Sequence, residues 1–340
     1  MCILHKKKGM NIDDLKKEIQ KLSKTERNKL LSDIHIEHYD KGDFVAKVLD
    51  EKDIKTPIHC PHCDSSEIVS RGIHKGVKRY QCKECRRYFN GNYGTALHWI
   101  HKKEKWQQYI ECMNNQLTLK ESAEKVGISY RTSFIWRHKI LSTLKDIEPG
   151  QLGGIVEADD TYFRFSEKGT RNLKRKPRKR GSGNMTFKKN KVPVVVATDR
   201  KGNMLLNVAG RGSLKRQDLR TIMAGKFYPE TILCSDGANA YKGLAMQEGI
   251  QHVKSARLGR PIAKKKAYNI QTVNQLQKDL KDYLDQFNGV STKYLQNYLY
   301  WFMLAKRKLM SSDKIKQWIW ITVTYMSALK LYNQIRIGAL

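Results

Sequence analysis

Two pairs of cysteines with C-x2-C spacing constrain this chain more than any other feature. Cys60 and Cys63 form one pair, Cys82 and Cys85 the other. Two-residue spacers let each pair chelate from one tight turn, and four thiolates can surround a zinc ion tetrahedrally. The stretch "HCPHCDSSEIVSRGIHKGVKRYQCKECRRYFN" reads as two knuckles with a β-hairpin between them. Four thiolates leave no open position, so one structural zinc is expected. The remaining cysteines, Cys2, Cys112 and Cys234, are scattered, which argues against a secreted disulfide framework.

A bihelical unit follows. In "LTLKESAEKVGISYRTSFIWRHKIL", Thr118 and Glu121 fit a capping box, Ala123 and Val126 an inner face, Gly127 a turn, and Ser129 a second cap. Phe134, Ile135 and Ile140 are candidate core residues. This is the pattern of a DNA-binding helix-turn-helix, and equally of an ordinary helical hairpin. On the second helix, Tyr130, Arg131, Ser133, Arg137 and His138 are the candidates to face DNA.

Charge favours the DNA reading. The chain of 340 residues has 65 Lys+Arg against 33 Asp+Glu, a formal net charge of +32. Such imbalance exceeds what solubility needs and points to a polyanionic partner. Between Glu167 and Lys191 lie eleven basic residues and one acid. Lys174, Arg175, Lys176, Arg178, Lys179 and Arg180 form the densest part of that run, expected to be a DNA-contacting loop. No apolar run reaches bilayer length, and the first residues lack a signal-peptide pattern, so no membrane partner and a cytoplasmic location are expected.

From residue 153 the texture changes to short apolar strands: "GGIVEAD", "VPVVVATD", "MLLNVAG" and "TILCSD". Two end in acid. On the first, Glu157 and Asp159 share a face and Asp160 points the other way; Asp236 ends another. Adjacent strands ending in aspartate can hold hard divalent ions, and two such ions can serve phosphoryl transfer. The helix "IQTVNQLQKDLKDYLDQF" places Asn274, Lys278 and Lys281 on one face.

The order of zinc ribbon, helix-turn-helix, "VEADDTYF", "VVVATDRKGN", "CSDGANAYKGL" and "NIQTVNQLQKDLKDYLDQFNGVSTKYLQNYLYWF" resembles bacterial insertion-sequence transposases of the ISXO-like group, over about residues 58–305. The resemblance implies a ribonuclease-H-like catalytic domain with an Asp-Asp-Glu or Asp-Asp-Asn set. It places the catalytic aspartates at Asp159 and Asp236, the third position at Asn274 where many relatives have Glu, and a basic residue at Lys281. It also implies two Mg²⁺ or Mn²⁺ ions per site, held by Asp159, Asp236 and Asn274.

The expected architecture is multidomain, α+β and α/β. A helical segment spans residues 1–50, a zinc ribbon 51–98, a helix-turn-helix domain 99–148, a ribonuclease-H-like domain 149–290 and a helical segment 291–340. The expected function is a DNA transposase, bacterial and nucleoid-associated, that binds terminal inverted repeats and cuts and joins strands as a homo-oligomer on element-end and target DNA. The rivals are an inactive DNA-binding regulator descended from a transposase, and a ribonuclease-H-like nuclease without strand transfer.

Overall fold

A computed structural model describes residues 59–74, 77–146, 150–170, 172–173, 176, 190–255, 267–306 and 311–324. The expected N-terminal helical segment over 1–50 lies outside these.

The cysteine pairs flank a hairpin, as the spacing requires. Strands β1 (Ile68–His74) and β2 (Val77–Cys82) pair antiparallel, and β3 (Tyr88–Asn90) adds to β2. One side of this small sheet is filled: Tyr80 and Phe89 stack at 5.6 Å and pack with Cys60 and Cys82.

Three helices follow: α1 (Trp106–Asn114), α2 (Leu119–Val126) and α3 (Tyr130–Thr143). The sequence punctuates them as expected. The Thr118–Glu121 capping box is formed, Gly127 ends α2 at φ 65°, and the Ser129 side chain accepts from the Thr132 amide. Left-handed backbone at that C-cap suits glycine, which has no Cβ to clash.

The larger sheet has five strands: β4 (Ile155–Arg164), β5 (Lys191–Asp199), β6 (Met204–Val208), β7 (Ile232–Ser235) and β8 (Gln251–Lys254). Their order is β6-β5-β4-β7-β8. The first three run antiparallel to one another, whereas β7 and β8 run parallel to β4. Helices α4 (Arg216–Met223) and α5 (Asn239–Glu248) cover one face; α6 (Gln271–Asp285) and α7 (Thr292–Lys306) cover the other. Strand β5 is buried on both sides, Val192, Val194 and Val196 facing α6 and α7, Val195 and Ala197 facing α4 and α5. β-branched residues suit such a doubly covered strand.

One apolar cluster joins parts that the sequence places in separate domains. It holds Trp106, Trp136 and Ile140 of the helical trio, Val194 of β5, Val273 and Leu280 of α6, Trp301 and Phe302 of α7, and Trp318 of α8 (Ser311–Thr324). The Trp106 indole donates to the Thr322 hydroxyl. The trio is therefore packed against the rest of the molecule rather than tethered to it. Among the described residues, no helix is long and apolar enough to cross a membrane.

Candidate active site

The first strand does not end at Asp159, as the sequence suggested, but continues to Arg164 along β5; register still brings mid-strand Asp159 toward Asp236, which just follows β7. The β4–β7 ladder pairs Ile155 with Ile232, Val156 with Leu233 and Glu157 with Cys234. Two residues further along stand Asp159, still on β4, and Asp236, just past β7, near enough for the Asp236 charge to act on Asp159. Strand alternation turns Glu157 and Asp159 toward α6 and Asp160 toward α5.

Helix α6 meets β4 at two points. Glu157, 1% exposed, accepts from the Thr272 hydroxyl at 2.9 Å and the Val273 amide at 3.0 Å. Arg200 pairs with the same carboxylate at 2.7 Å and also donates to Thr272 and the Ala267 carbonyl. Further along, the Gln277 amide donates to Asp159 at 3.0 Å. Two strand residues span about 6.6 Å and four to five helical residues about 6–7.5 Å, so both contacts can form together.

Gln277 is thus the residue on α6 that touches Asp159, and the sequence reading passed over it. A neutral residue on an amphipathic helix gives no signal by itself. Asn274 and Lys281 are exposed. They lie one turn either side of Gln277, about 40–60° around the helix, at the rim of the site.

The carboxylates are poorly compensated. Burial raises the pKa of Asp159, and the charges of Asp160 and Asp236 add to that; hydrogen bonds from the Asp160 backbone and Gln277 oppose it. Burial likewise raises Asp160, with Asp236 adding and the Tyr162 hydroxyl opposing. Beside them the Tyr241 hydroxyl is buried with no hydrogen-bond partner among the described residues. Its pKa is held well above the usual tyrosine value by burial and then by Asp160, Asp159 and Asp236. Asp159 and Asp236, which share the α6 face, repel one another and are short of donors, so this pair of carboxylates suits a hard divalent cation.

The four cysteines converge more tightly. Their sulfurs all lie within 4.8 Å of one another. Cys60 and Cys85 are 3.5 Å apart, Cys63 and Cys82 3.6 Å. A tetrahedron of Zn–S bonds of about 2.3 Å would set sulfurs about 3.8 Å apart, so the cluster has the size of a zinc site. Both knuckles use the same turn. Asp64 and Arg86, each just after the second cysteine of its pair, have φ of 62° and 57°.

The helical trio corrects one expectation. Of the five residues assigned to face DNA, Tyr130 and Arg131 are exposed at the start of α3, but Ser133, Arg137 and His138 are buried. The Ser133 hydroxyl donates to the Leu119 carbonyl, and the Tyr109 hydroxyl donates to the Ser133 carbonyl. Arg137 donates to the Leu117 carbonyl and the Ser122 hydroxyl and lies 5.1 Å over the Trp301 ring. His138 stacks on Tyr294 at 3.9 Å. A polar residue on an α3 face satisfies helix packing here, a distinction that residue type alone does not make. Of the basic run, Lys176 is exposed; Lys174, Arg175, Arg178, Lys179 and Arg180 lie outside the described residues.

Residues 151–303 match the ISXO2-like transposase domain, so over that stretch the chain is similar to insertion-sequence transposases of the ISXO-like group. An uncharacterized protein in transposable element ISH50 of Halobacterium salinarum is 28% identical over 195 residues. That match spans 55% of this chain and 64% of the relative, less than two thirds of its length. Among solved structures, a pre-cleavage Mos1 transpososome is similar at 13% identity and a TM-score of 0.29, covering 61% of this chain and 73% of that one. A Mos1 transposase paired-end complex is similar at 12% identity and a TM-score of 0.26, covering 64% and 77%.

Proposed function

We propose that the chain is a DNA transposase whose ribonuclease-H-like domain cleaves element ends and joins them to target DNA. The observation that carries this reading is Asp159 on β4 under the charge of Asp236, which follows the parallel neighbour β7, with Gln277 reaching Asp159 from α6. The strand order, three antiparallel strands followed by two parallel to the first, supports the ribonuclease-H-like assignment.

Asp159 and Asp236 would hold two Mg²⁺ or Mn²⁺ ions, and the amides of Gln277 and Asn274 would offer neutral oxygens. Bound metal supplies activation of the attacking oxygen and stabilisation of the leaving one. Glu157 holds the first turn of α6 against β4, which fixes where Gln277 stands. Lys281, on the exposed edge of the same helix, is placed to meet a phosphate. A zinc ion in the cysteine cluster would be structural. Double-stranded DNA is the partner that the charge of +32 favours, and two copies are needed to bring two ends together.

The test is cleavage and strand transfer on duplexes taken from DNA flanking the gene, with Mg²⁺ or Mn²⁺. Asp159→Asn and Asp236→Asn should each abolish both steps. Parental activity in both variants would leave a DNA-binding regulator as the better reading. Cleavage without joining of pre-cut ends would leave a nuclease.

A further inference from the structure

With Ser133, Arg137 and His138 buried, α3 offers DNA a short exposed edge, and another surface is better built for the purpose. We propose that the solvent-facing side of the β1–β3 sheet, formed by Arg71, Arg79, Gln81 and Tyr88, docks duplex DNA. This rests on the transposase reading above and assigns it a second DNA contact, distant in sequence from the aspartates.

The face is defined by the register. Gln81 pairs with Tyr88 and Arg79 with Asn90, so Arg79, Gln81 and Tyr88 point one way while Tyr80 and Phe89 point into the cysteine core, and Arg71 joins that face through its bond to Gln81. The side chains are held in place. Arg71 donates from Nε to Gln81 at 3.0 Å, and Gln81 donates to the Arg86 carbonyl at 3.2 Å. The Arg79 guanidinium sits 4.3 Å over the Tyr88 ring, which is itself 49% exposed. An exposed arginine left free would lose about 2 kcal/mol of rotamer freedom on binding; tethering removes part of that cost in advance.

Charge and size select the partner. From Ile68 to Asn90 there are seven Lys or Arg residues and one acid, Glu84. Among the described residues neither Arg71 nor Arg79 pairs with a carboxylate. Strands about 4.8 Å apart make a ribbon that fits a major groove about 12 Å wide, and planar guanidinium groups suit both phosphates and guanine edges.

The experiment measures binding of the full chain to a labelled mixed-sequence 30-bp duplex and to duplexes tiled from DNA flanking the gene, across a salt series. Arg71→Ala/Arg79→Ala should weaken binding at least tenfold and lower the salt slope by about one per lost phosphate contact. Tyr88→Ala should weaken it less, and Arg131→Ala less than the double variant. These side chains are exposed, so zinc content and melting temperature should match the parent and exclude misfolding. A double variant with parental affinity and slope overturns the proposal and leaves the transposase reading standing. So does a larger loss from Arg131→Ala, or a preference for single-stranded RNA of equal length over duplex. A parent that binds no duplex overturns the transposase reading itself.

Discussion

Gln277 donates a hydrogen bond to Asp159, at 3.0 Å, from a helix position that is nearly buried. Asn274, one turn earlier, is exposed. Substitutions should therefore rank differently from what residue type suggests. Gln277→Ala should reduce Mn²⁺ affinity and activity more than Asn274→Ala. Gln277→Glu adds a charge beside carboxylates already pushed upward, so it should lower the metal-free melting temperature and make added Mg²⁺ more stabilising. Mn²⁺ titration by electron paramagnetic resonance and thermal melts with and without Mg²⁺ provide the readouts. Equal metal affinity in the two alanine variants would remove Gln277 from the site.

His138 should make stability fall in mild acid. Burial, then the charges of Arg137 and Lys293, lowers its pKa to about 3, against about 6.5 for a free imidazole. The native state stays neutral while the unfolded chain takes up a proton. The depressed value therefore leaves stability intact above about pH 6.5 and erodes it as pH falls toward 3, by up to about 1.4 kcal/mol per pH unit. His98, lowered to about 4 by burial and then Lys139, acts in the same direction. Replacing His138 with Phe should flatten the melting temperature between pH 6.5 and 4 relative to the parent. An unchanged pH profile would mean that the ring is solvated.

Much of this was legible in the sequence, and the reasons differ by element. Cysteine spacing and the Thr118–Glu121 box are local signals, and each appears where local rules put it, whereas the strand expected to end at Asp159 runs on to Arg164 because β5 pairs with it that far. Strand β8 gave no such signal: "QHVK" is short and polar, and it exists because β7 offers it an edge. The interior of α3 was misread because burial of Arg137 depends on the Leu117 carbonyl just before α2 and on the Trp301 ring of α7, the latter distant in sequence. Gln277 was missed for the same reason. Its importance comes from what β4 places opposite it.

Arg137 binds the helical trio to α7, and its loss should be a stability event first. Its removal leaves the Leu117 carbonyl and the Ser122 hydroxyl without their donor and opens space beside Trp301. Arg137→Ala should cost about 2–4 kcal/mol by chemical denaturation. Arg131→Ala, at an exposed site, should stay within about 0.5 kcal/mol. If Arg137→Ala melts like the parent yet loses DNA binding, the residue faces DNA after all.

The cysteine cluster should come apart without taking the larger sheet with it. Its apolar cluster, Cys60, Tyr80, Cys82 and Phe89, is separate from the two clusters that flank β4 and β5. Cys82→Ser should abolish zinc copurification and speed amide exchange in β1–β3, while β4, β5 and α6 keep their protection. Full zinc occupancy in that variant would exclude the four-thiolate site.

The pairing of Glu157 with Arg200 should decide how firmly α6 is seated. Glu157 sits two residues before Asp159 on the same strand face and is almost wholly buried, so its charge needs compensation. Arg200, the Thr272 hydroxyl and the Val273 amide provide it. Val273 lies in the first turn of α6, where backbone amides have no partner within the helix. The carboxylate thus fixes the helix start, and Gln277 follows one turn later. Arg200→Ala leaves the buried carboxylate with only Thr272 and Val273 and, Arg200 being half-exposed, should cost about 1–3 kcal/mol. Glu157→Gln keeps an acceptor for Val273 while giving up the charge, so it should cost less and leave α6 in place. Adding Arg200→Ala to Glu157→Gln should cost little more, because the charge to be compensated is gone. Denaturation of all four proteins gives the coupling, and amide exchange at Val273 and Asn274 reports on the helix start. With the clamp weakened, metal-dependent activity should fall through kcat with little change in DNA affinity, since the exposed residues proposed to meet DNA are untouched. Additive losses in the two single variants, with parental exchange at Val273, would show that the pair is a surface contact and that α6 is seated by its apolar face alone.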